Sequence, residues 1–252
     1  MTANSTHRTG PLGHRAAGPP RSADRTRQGG LIITIDGPAG VGKSTAAKLL
    51  AKRLGLSYLD TGATYRALAY AALSRGLDPH DARALLRLVR TLRLQLRQSP
   101  EDGLRVILDG CDVTRKIRTE RVTDAAAIVA QYPRLRAELV RLQRRLTDGQ
   151  RVVAEGRDTG SVVFPRAACK FFLTAAASVR ARRRQRELRS LQARAPSVAV
   201  IAHQLKARDR LDRRRAVGPL IRPPRAILLN TSHLRAEEVV ERMLRHVSAR
   251  LR

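Results

Sequence analysis

The segment Gly37-Pro-Ala-Gly-Val-Gly42-Lys43-Ser44-Thr45 constrains this chain more than any other. It matches the spacing G-x-x-x-x-G-K-[ST], follows the β-branched run Leu31-Ile-Ile-Thr-Ile35, and leads into a helical pattern starting at Lys43. Glycines at these places let backbone N–H groups approach phosphate oxygens, and the helix N-terminus adds the positive end of its dipole. A loop of this kind is held between a strand and a helix, so the motif predicts an α/β core. With glycine near 7% of residues, a chain of this length matches the pattern by chance roughly once in a hundred times. Lys43 is expected to reach the β and γ phosphates of a bound nucleotide, and Ser44 to offer its hydroxyl to Mg²⁺. Gly37, Pro38, Ala39, Gly40, Val41, Gly42 and Thr45 complete the expected nucleotide cradle. Asp36, at the strand end, has two readings: it holds a magnesium-bound water, or it caps the loop.

The remaining chain repeats this alternation. Apolar runs at 151–154, 170–173 and 226–229 have the continuous character of buried parallel strands. Helical patterns cover 43–54, 62–74, 133–147, 178–191, 197–213 and 236–251, which together argue for a doubly wound α/β sheet. One region breaks the rhythm. Segments 92–96 and 104–108 alternate with period two across turn residues that include Pro100 and Gly103, and predict an antiparallel hairpin inserted in the core. Residues 1–30 have no apolar run and are rich in Arg, Ser, Thr, Pro and Gly, the composition of a disordered tail without a secretory signal. The prolines at 11, 19 and 20 argue against an amphipathic transit helix. No internal repeat is apparent.

Composition excludes several classes. The longest apolar stretches, such as Leu68 to Leu73, fall far short of the roughly 20 residues that span a bilayer. Cys111 and Cys169 form no metal-ligand spacing and no disulfide framework, which suits a reducing cytoplasm. The six histidines are scattered and carry no assigned role. The net charge of +29 admits either solvated basic faces or anionic ligands. Only six of the 50 basic residues are lysines, as compositional bias alone can produce, and the seven aromatics form no stacking platform for single strands.

A glycine-rich phosphate loop is shared by ATPases, GTPases and small-molecule kinases, so the acceptor has to come from other segments. Five of them, ITIDGPAGVGKST, LDTGATYRALA, IRTERV with AAIVAQYPRLR, EGRDTGSVVFP and RDRLDRRRAVGPL, occur in an order that resembles the bacterial-type cytidylate kinases over nearly all of 31–252. The resemblance implies a P-loop-type parallel sheet flanked by helices, with core segments 31–60, 151–178 and 219–252. It implies an inserted monophosphate-binding region at 61–150 that contains the small antiparallel sheet, and a helical lid at about 179–218. The implied activity is transfer of the γ-phosphoryl group of ATP to CMP or dCMP, with Mg²⁺, by a cytoplasmic monomer that needs neither membrane nor nucleic acid.

A nucleoside monophosphate carries about −1.5 to −2 charge at pH 7, so it is a competent nucleophile without a general base. The difficulty lies in bringing two anions together, which calls for arginines that clamp and stabilise spread charge. By resemblance Arg66, Arg157 and Arg215 hold the acceptor phosphate, with Thr61 and Asp158 beside two of them, and Lys43, Arg157 and Arg215 act in transfer. The resemblance also implies that Arg208 and Asp212 contact the ribose, and helical spacing independently puts Arg208, Asp212 and Arg215 on one face, leaving Arg210, Arg213 and Arg214 to solvent. Arg180, Arg183 and Arg184 match an R-x-x-R-R pattern at the start of the lid. Asp158 and Arg136 are implied to read the cytosine edge. Ala127 stands where the family usually has a base-reading serine, and Thr123, one turn earlier, is a candidate to supply the missing hydroxyl. Two other readings stay open: a kinase for another small acceptor such as UMP, AMP or a sugar acid, and a nucleic-acid-dependent ATPase.

Overall fold

The structure, a computed structural model, describes residues 1, 30–99, 103–191 and 195–251. The predicted tail from residue 2 to 29 and the hairpin tip at 100–102 lie outside the described residues. In chain order the first elements are β1 (Ile32–Asp36), α1 (Lys43–Leu54), β2 (Ser57–Asp60), α2 (Thr61–Ser74) and α3 (Ala82–Thr91). The strands β3 (Leu94–Ser99), β4 (Gly103–Leu108) and β5 (Cys111–Asp112) follow, then α4 (Glu120–Val129) and α5 (Pro133–Leu146). The chain returns through β6 (Val152–Gly156), β7 (Cys169–Thr174), α6 (Ala177–Leu191), α7 (Val198–Arg214), β8 (Ile227–Asn230) and α8 (Ala236–Leu251).

Five strands form one parallel sheet in the order β2-β6-β1-β7-β8, and β3, β4 and β5 form a separate antiparallel sheet. This is the expected α/β architecture. The predicted strands are all present, and β6, β7 and β8 each start one residue off the apolar runs or end one or two beyond them. Helices α1 and α8 cover one face of the sheet, where Ile33, Ile35, Leu50, Phe171, Leu173, Val240 and Met243 are buried together. A second core lies under the inserted region, where Leu68, Leu85, Val106, Ile117, Val129 and Leu139 unite α2 to α5 with the small sheet. At about 1.5–3 kcal/mol for each fully buried large apolar side chain, two such clusters give each half its own footing.

Four of these elements, β2, α3, α4 and β5, lie outside the predicted strand and helix segments. Strand β2 is four residues long and pairs with β6, with Asp60 beside Glu155. Helix α3 follows Asp81, whose carboxylate accepts from the N–H groups of Arg83 and Ala84. Helix α4 carries Ala127 and is capped by Thr119. The hairpin pairs in the predicted sense, with Leu94 opposite Leu108 and Leu96 opposite Val106, but β3 begins two residues after 92, β4 begins one residue before 104, and β5 joins as a third member. Among the described residues, no helix is long and apolar enough to cross a membrane.

Candidate active site

A cleft opens at the carboxyl ends of β2 and β6, beside the loop that joins β1 to α1, where ligands gather in parallel α/β sheets. Eight basic side chains and five acidic ones line it. Its charge therefore favours anions.

On the loop side, Ala39, Gly40, Lys43 and Ser44 line the cleft, whereas Gly37, Pro38, Val41, Gly42 and Thr45 lie outside its lining. Val41 instead sends its side chain into the sheet core, and its carbonyl accepts from Thr231 Oγ1 at 2.8 Å. Lys43 is only 5% exposed and donates Nζ–H to the Pro38 carbonyl at 2.7 Å. Burial and the neighbouring Arg157 lower its pKa to about 7, against the opposing pull of Glu155 and Asp36. Ser44 is exposed at the first turn of α1.

Neither reading of Asp36 holds. The side chain is fully buried, and its carboxylate accepts from Thr159 N at 2.8 Å, Gly160 N at 2.7 Å and the Thr159 hydroxyl. Burial raises its pKa against the pull of those bonds. The three donors turn the carboxylate toward the segment after β6, so it pins that turn and leaves the loop uncapped. The acid that lines the cleft beside Lys43 is Glu155, which the sequence reading left without a role. Its carboxylate accepts from the Tyr58 hydroxyl at 2.9 Å, and both residues are buried. Burial and the Glu155 charge push the Tyr58 phenol well above its ordinary pKa, which keeps it a donor. The signal for Glu155 was present in the segment EGRDTG, an acid at the carboxyl end of a buried parallel strand.

The acceptor side gathers Thr61, Arg66, Arg136, Arg157, Asp158, Arg208, Asp212 and Arg215 in this one cleft. Asp60 accepts from Ala63 N at 3.0 Å, capping α2, and from Arg66 at 2.6 Å. Burial pushes the Asp60 carboxyl up, but Arg66 and Arg118 outweigh it and hold the pKa below its ordinary value. Thr61 spends its hydroxyl proton on the Glu155 carbonyl at 2.8 Å. Asp212 lies between two arginines, accepting from Arg157 Nε at 3.0 Å on one oxygen and from Arg215 on the other. Arg208, half-buried, has its pKa brought down to about 10 by burial and by Arg157. Helical spacing correctly puts Arg208 and Asp212 on one face, but α7 ends at Arg214 and Arg215 has extended backbone, so its side chain reaches Asp212 from outside the helix. Arg210, Arg213 and Arg214 are exposed as expected. Arg118, also in the lining, was not predicted.

Arg136 and Asp158 pair with each other rather than standing free. Arg136 is 2% exposed, donates to Asp158 and to the Ala130 carbonyl, and lies under the Tyr65 ring at 5.4 Å. Burial raises the Asp158 pKa in spite of Arg136. Gly218, with φ at +64°, passes so close that a Cβ there would run into both partners. Thr123 and Ala127 line the same cleft from α4, and the Thr123 hydroxyl donates to the Thr119 carbonyl at 2.9 Å. Of the R-x-x-R-R arginines, only Arg184 lines the cleft, paired with Glu187 at 2.9 Å. Arg183 donates to the carbonyls of Val41 and Thr231.

A glycine-rich loop between the first strand and first helix of a parallel sheet, opening on an arginine-lined cleft, defines the class as a P-loop protein of the α/β type. Residues 33–249 match the cytidylate kinase family, and the chain belongs to it. It is 47% identical over 222 residues to a cytidylate kinase of Geobacillus kaustophilus, covering 88% of this chain and 98% of that one. It is 44% identical to a cytidylate kinase of Symbiobacterium thermophilum, covering 88% and 97%, and 46% identical to one of Pelotomaculum thermopropionicum, covering 86% and 96%.

Proposed function

We propose that the chain transfers the γ-phosphoryl group of ATP to CMP or dCMP, yielding ADP and the corresponding diphosphate. The observation that carries this reading is a single cleft joining the loop at Lys43 to Arg66, Arg157, Arg208 and Arg215. The shared cleft supports the following residue roles within this reading. Loop N–H groups and Lys43 hold the β and γ phosphates, and Arg66, Arg157 and Arg215 receive the acceptor phosphate. Asp60 and Asp212 fix three of those guanidinium groups in advance, so little reorganisation remains when charge spreads over the transferring phosphoryl group. Arg208 and Asp212 meet the ribose, and Arg136 and Asp158 meet the base by opening their mutual pair toward it. Thr123, its proton donated to Thr119, keeps lone pairs that accept from the exocyclic amine of cytosine in place of the serine absent at Ala127.

The oxygen donors Ser44 and Glu155 suit Mg²⁺, a hard cation that takes few protein ligands when it arrives with a nucleotide. Held by these two residues, Mg²⁺ would supply positive charge against the negative charge that develops during phosphoryl transfer. The reading includes the segments 61–150 as the monophosphate-binding region and about 179–218 as a lid, in a monomer of the cytoplasm. Two unpaired cysteines, Cys111 exposed and Cys169 buried, suit that compartment.

The test is γ-phosphoryl transfer from Mg·ATP to CMP, dCMP, UMP, AMP and shikimate, with polynucleotide-stimulated ATP hydrolysis run alongside. Preference for CMP and dCMP is the expected result. Preference for UMP or AMP overturns the base-reading roles, and hydrolysis stimulated by polynucleotide without transfer overturns the kinase reading.

A further inference from the structure

Arg180 and Asp209 lie outside the cleft lining, yet they connect its two sides. Arg180 sits in the first turn of α6 and donates Nε–H to the Ala39 carbonyl, in the phosphate loop, at 2.7 Å. Its NH1 donates to Asp209 Oδ2 at 2.6 Å, and both side chains are 9% exposed. Asp209 stands on α7 directly after Arg208 and one turn before Asp212. The packing agrees with the hydrogen bonds. A Cβ at Gly40, where φ is +76°, would lie 3.0 Å from the Arg180 carbonyl oxygen, so the loop turns tightly against this residue. Ala39 packs on a small cluster of Ala181, Ile201 and Leu205 that joins α6 to α7.

The pair is not optimised for stability. Among the described residues, Arg180 NH2 and Asp209 Oδ1 are buried without hydrogen-bond partners, and a buried ion pair with an unmet donor and acceptor often does no better than apolar packing in the same space. Its distinctive property is its span: one planar guanidinium fork fixes the loop carbonyl and the α7 carboxylate in a single geometry. The fork thus ties the loop directly to the helix that carries Arg208 and Asp212.

We propose that Arg180, through Asp209, is a positioning residue that couples occupancy of the phosphate loop to the acceptor clamp on α7, so that the donor nucleotide strengthens acceptor binding. This rests on the assignment of donor and acceptor sides made above. By linkage, the acceptor strengthens donor binding by the same factor.

The experiment is calorimetric titration of CMP into the wild-type protein, Arg180→Lys and Asp209→Asn, each with and without a saturating magnesium complex of a non-hydrolysable ATP analogue. In the wild-type protein the analogue is expected to tighten CMP by about fivefold or more, the lower range of measured couplings. Lysine keeps the charge but loses the fork, and asparagine keeps the shape but loses the charge. Both variants are expected to bind CMP alone within about twofold of wild type and to lose most of the tightening by the analogue. The double variant is expected to lose no more than either single one. Thermal unfolding confirms that each variant is folded, and Asp209→Asn carries the test if Arg180→Lys is not. Full tightening in a folded variant, or none in the wild-type protein, overturns the coupling role. If the wild-type protein neither binds CMP nor phosphorylates it, the substrate assignment falls and the coupling role with it. If it does both while the variants keep their tightening, the coupling role alone is lost.

Discussion

Lys43 shows how burial sets the chemistry of one side chain. With its pKa brought down to about 7, the unliganded side chain gives up its ammonium proton across the neutral range, and on the proposed reading the phosphates of ATP restore it. Binding is therefore expected to take up roughly half a proton at pH 7, approaching one by pH 9, and ATP affinity falls as pH rises through that window. Calorimetry in buffers of different ionisation enthalpy measures the uptake, and Lys43→Arg, which stays charged, should remove it. A wild-type protein indistinguishable from that variant sinks the assignment. At Thr123 the donated proton leaves only acceptor capacity, so Thr123→Val is expected to lower discrimination of CMP over UMP by about 2- to 12-fold, one neutral hydrogen bond's worth. The ratio of kcat/KM for the two nucleotides reads this directly, and an unchanged ratio rejects the role. Lys43 and Ser44 were legible from the spacing of the phosphate loop, whereas the arginines and acids of the acceptor side came from the family resemblance, and the cleft brings both sets together. Asp36 misled because a strand-end acid looks alike whether it faces a ligand or, as here, three donors from a turn more than a hundred positions away. Glu155 went unassigned for the mirror reason, since its partner Tyr58 lies 97 positions back.

Elements carry function here through their ends. Helix α2 starts at Asp60, where one carboxylate both caps the helix and holds Arg66. Asp60→Asn keeps a capping oxygen and gives up the charge, whereas Asp60→Ala gives up both. Urea unfolding is expected to show Asp60→Ala less stable than Asp60→Asn by about 0.5–2 kcal/mol, the usual value of a cap. Both should raise KM for CMP alike, because Arg66 is set free in each, and a KM effect confined to the alanine variant would assign the loss to the helix instead. The acid limit of stability has a matching sign. With the Asp60 and Asp212 pKa values lowered, their contribution is complete above the unfolded carboxylate value near 3.8 and disappears as pH falls through the folded values below it. Periodicity found the long helices but passed over β2, whose four residues give too short a window for alternation to register. Helix α3 was legible in principle. Asp81 is a cap, and Leu85, Leu88 and Val89 share one buried face, but ten residues with three arginines resemble a solvated turn when no partner helix is in view.

At the scale of the molecule, cohesion is uneven. The sheet core and the core of the inserted region each bury about twenty apolar side chains, while α6 and α7 are held to the loop by the Ala181, Ile201 and Leu205 cluster and by arginine pairs. Segments with few buried apolar contacts open at lower free energy than the global transition. Amides of α6 and α7 are therefore expected to exchange with deuterium well before those of β1 and β6, which are buried along nearly their whole length, and of β7, where every second residue is buried. Arg157 and Arg215 approach Asp212 from just past β6 and from just beyond α7, so on the proposed reading bound phosphates that engage both guanidinium groups are expected to draw the two sides together. ATP analogue and CMP added together should then slow exchange in α6 and α7 by more than the sum of their separate effects, with β7 unchanged. Exchange mass spectrometry decides the matter: equal protection of α6 and β7 in the unliganded protein would mean that the helices are part of the rigid core, and the closing lid read from the sequence would have to be abandoned.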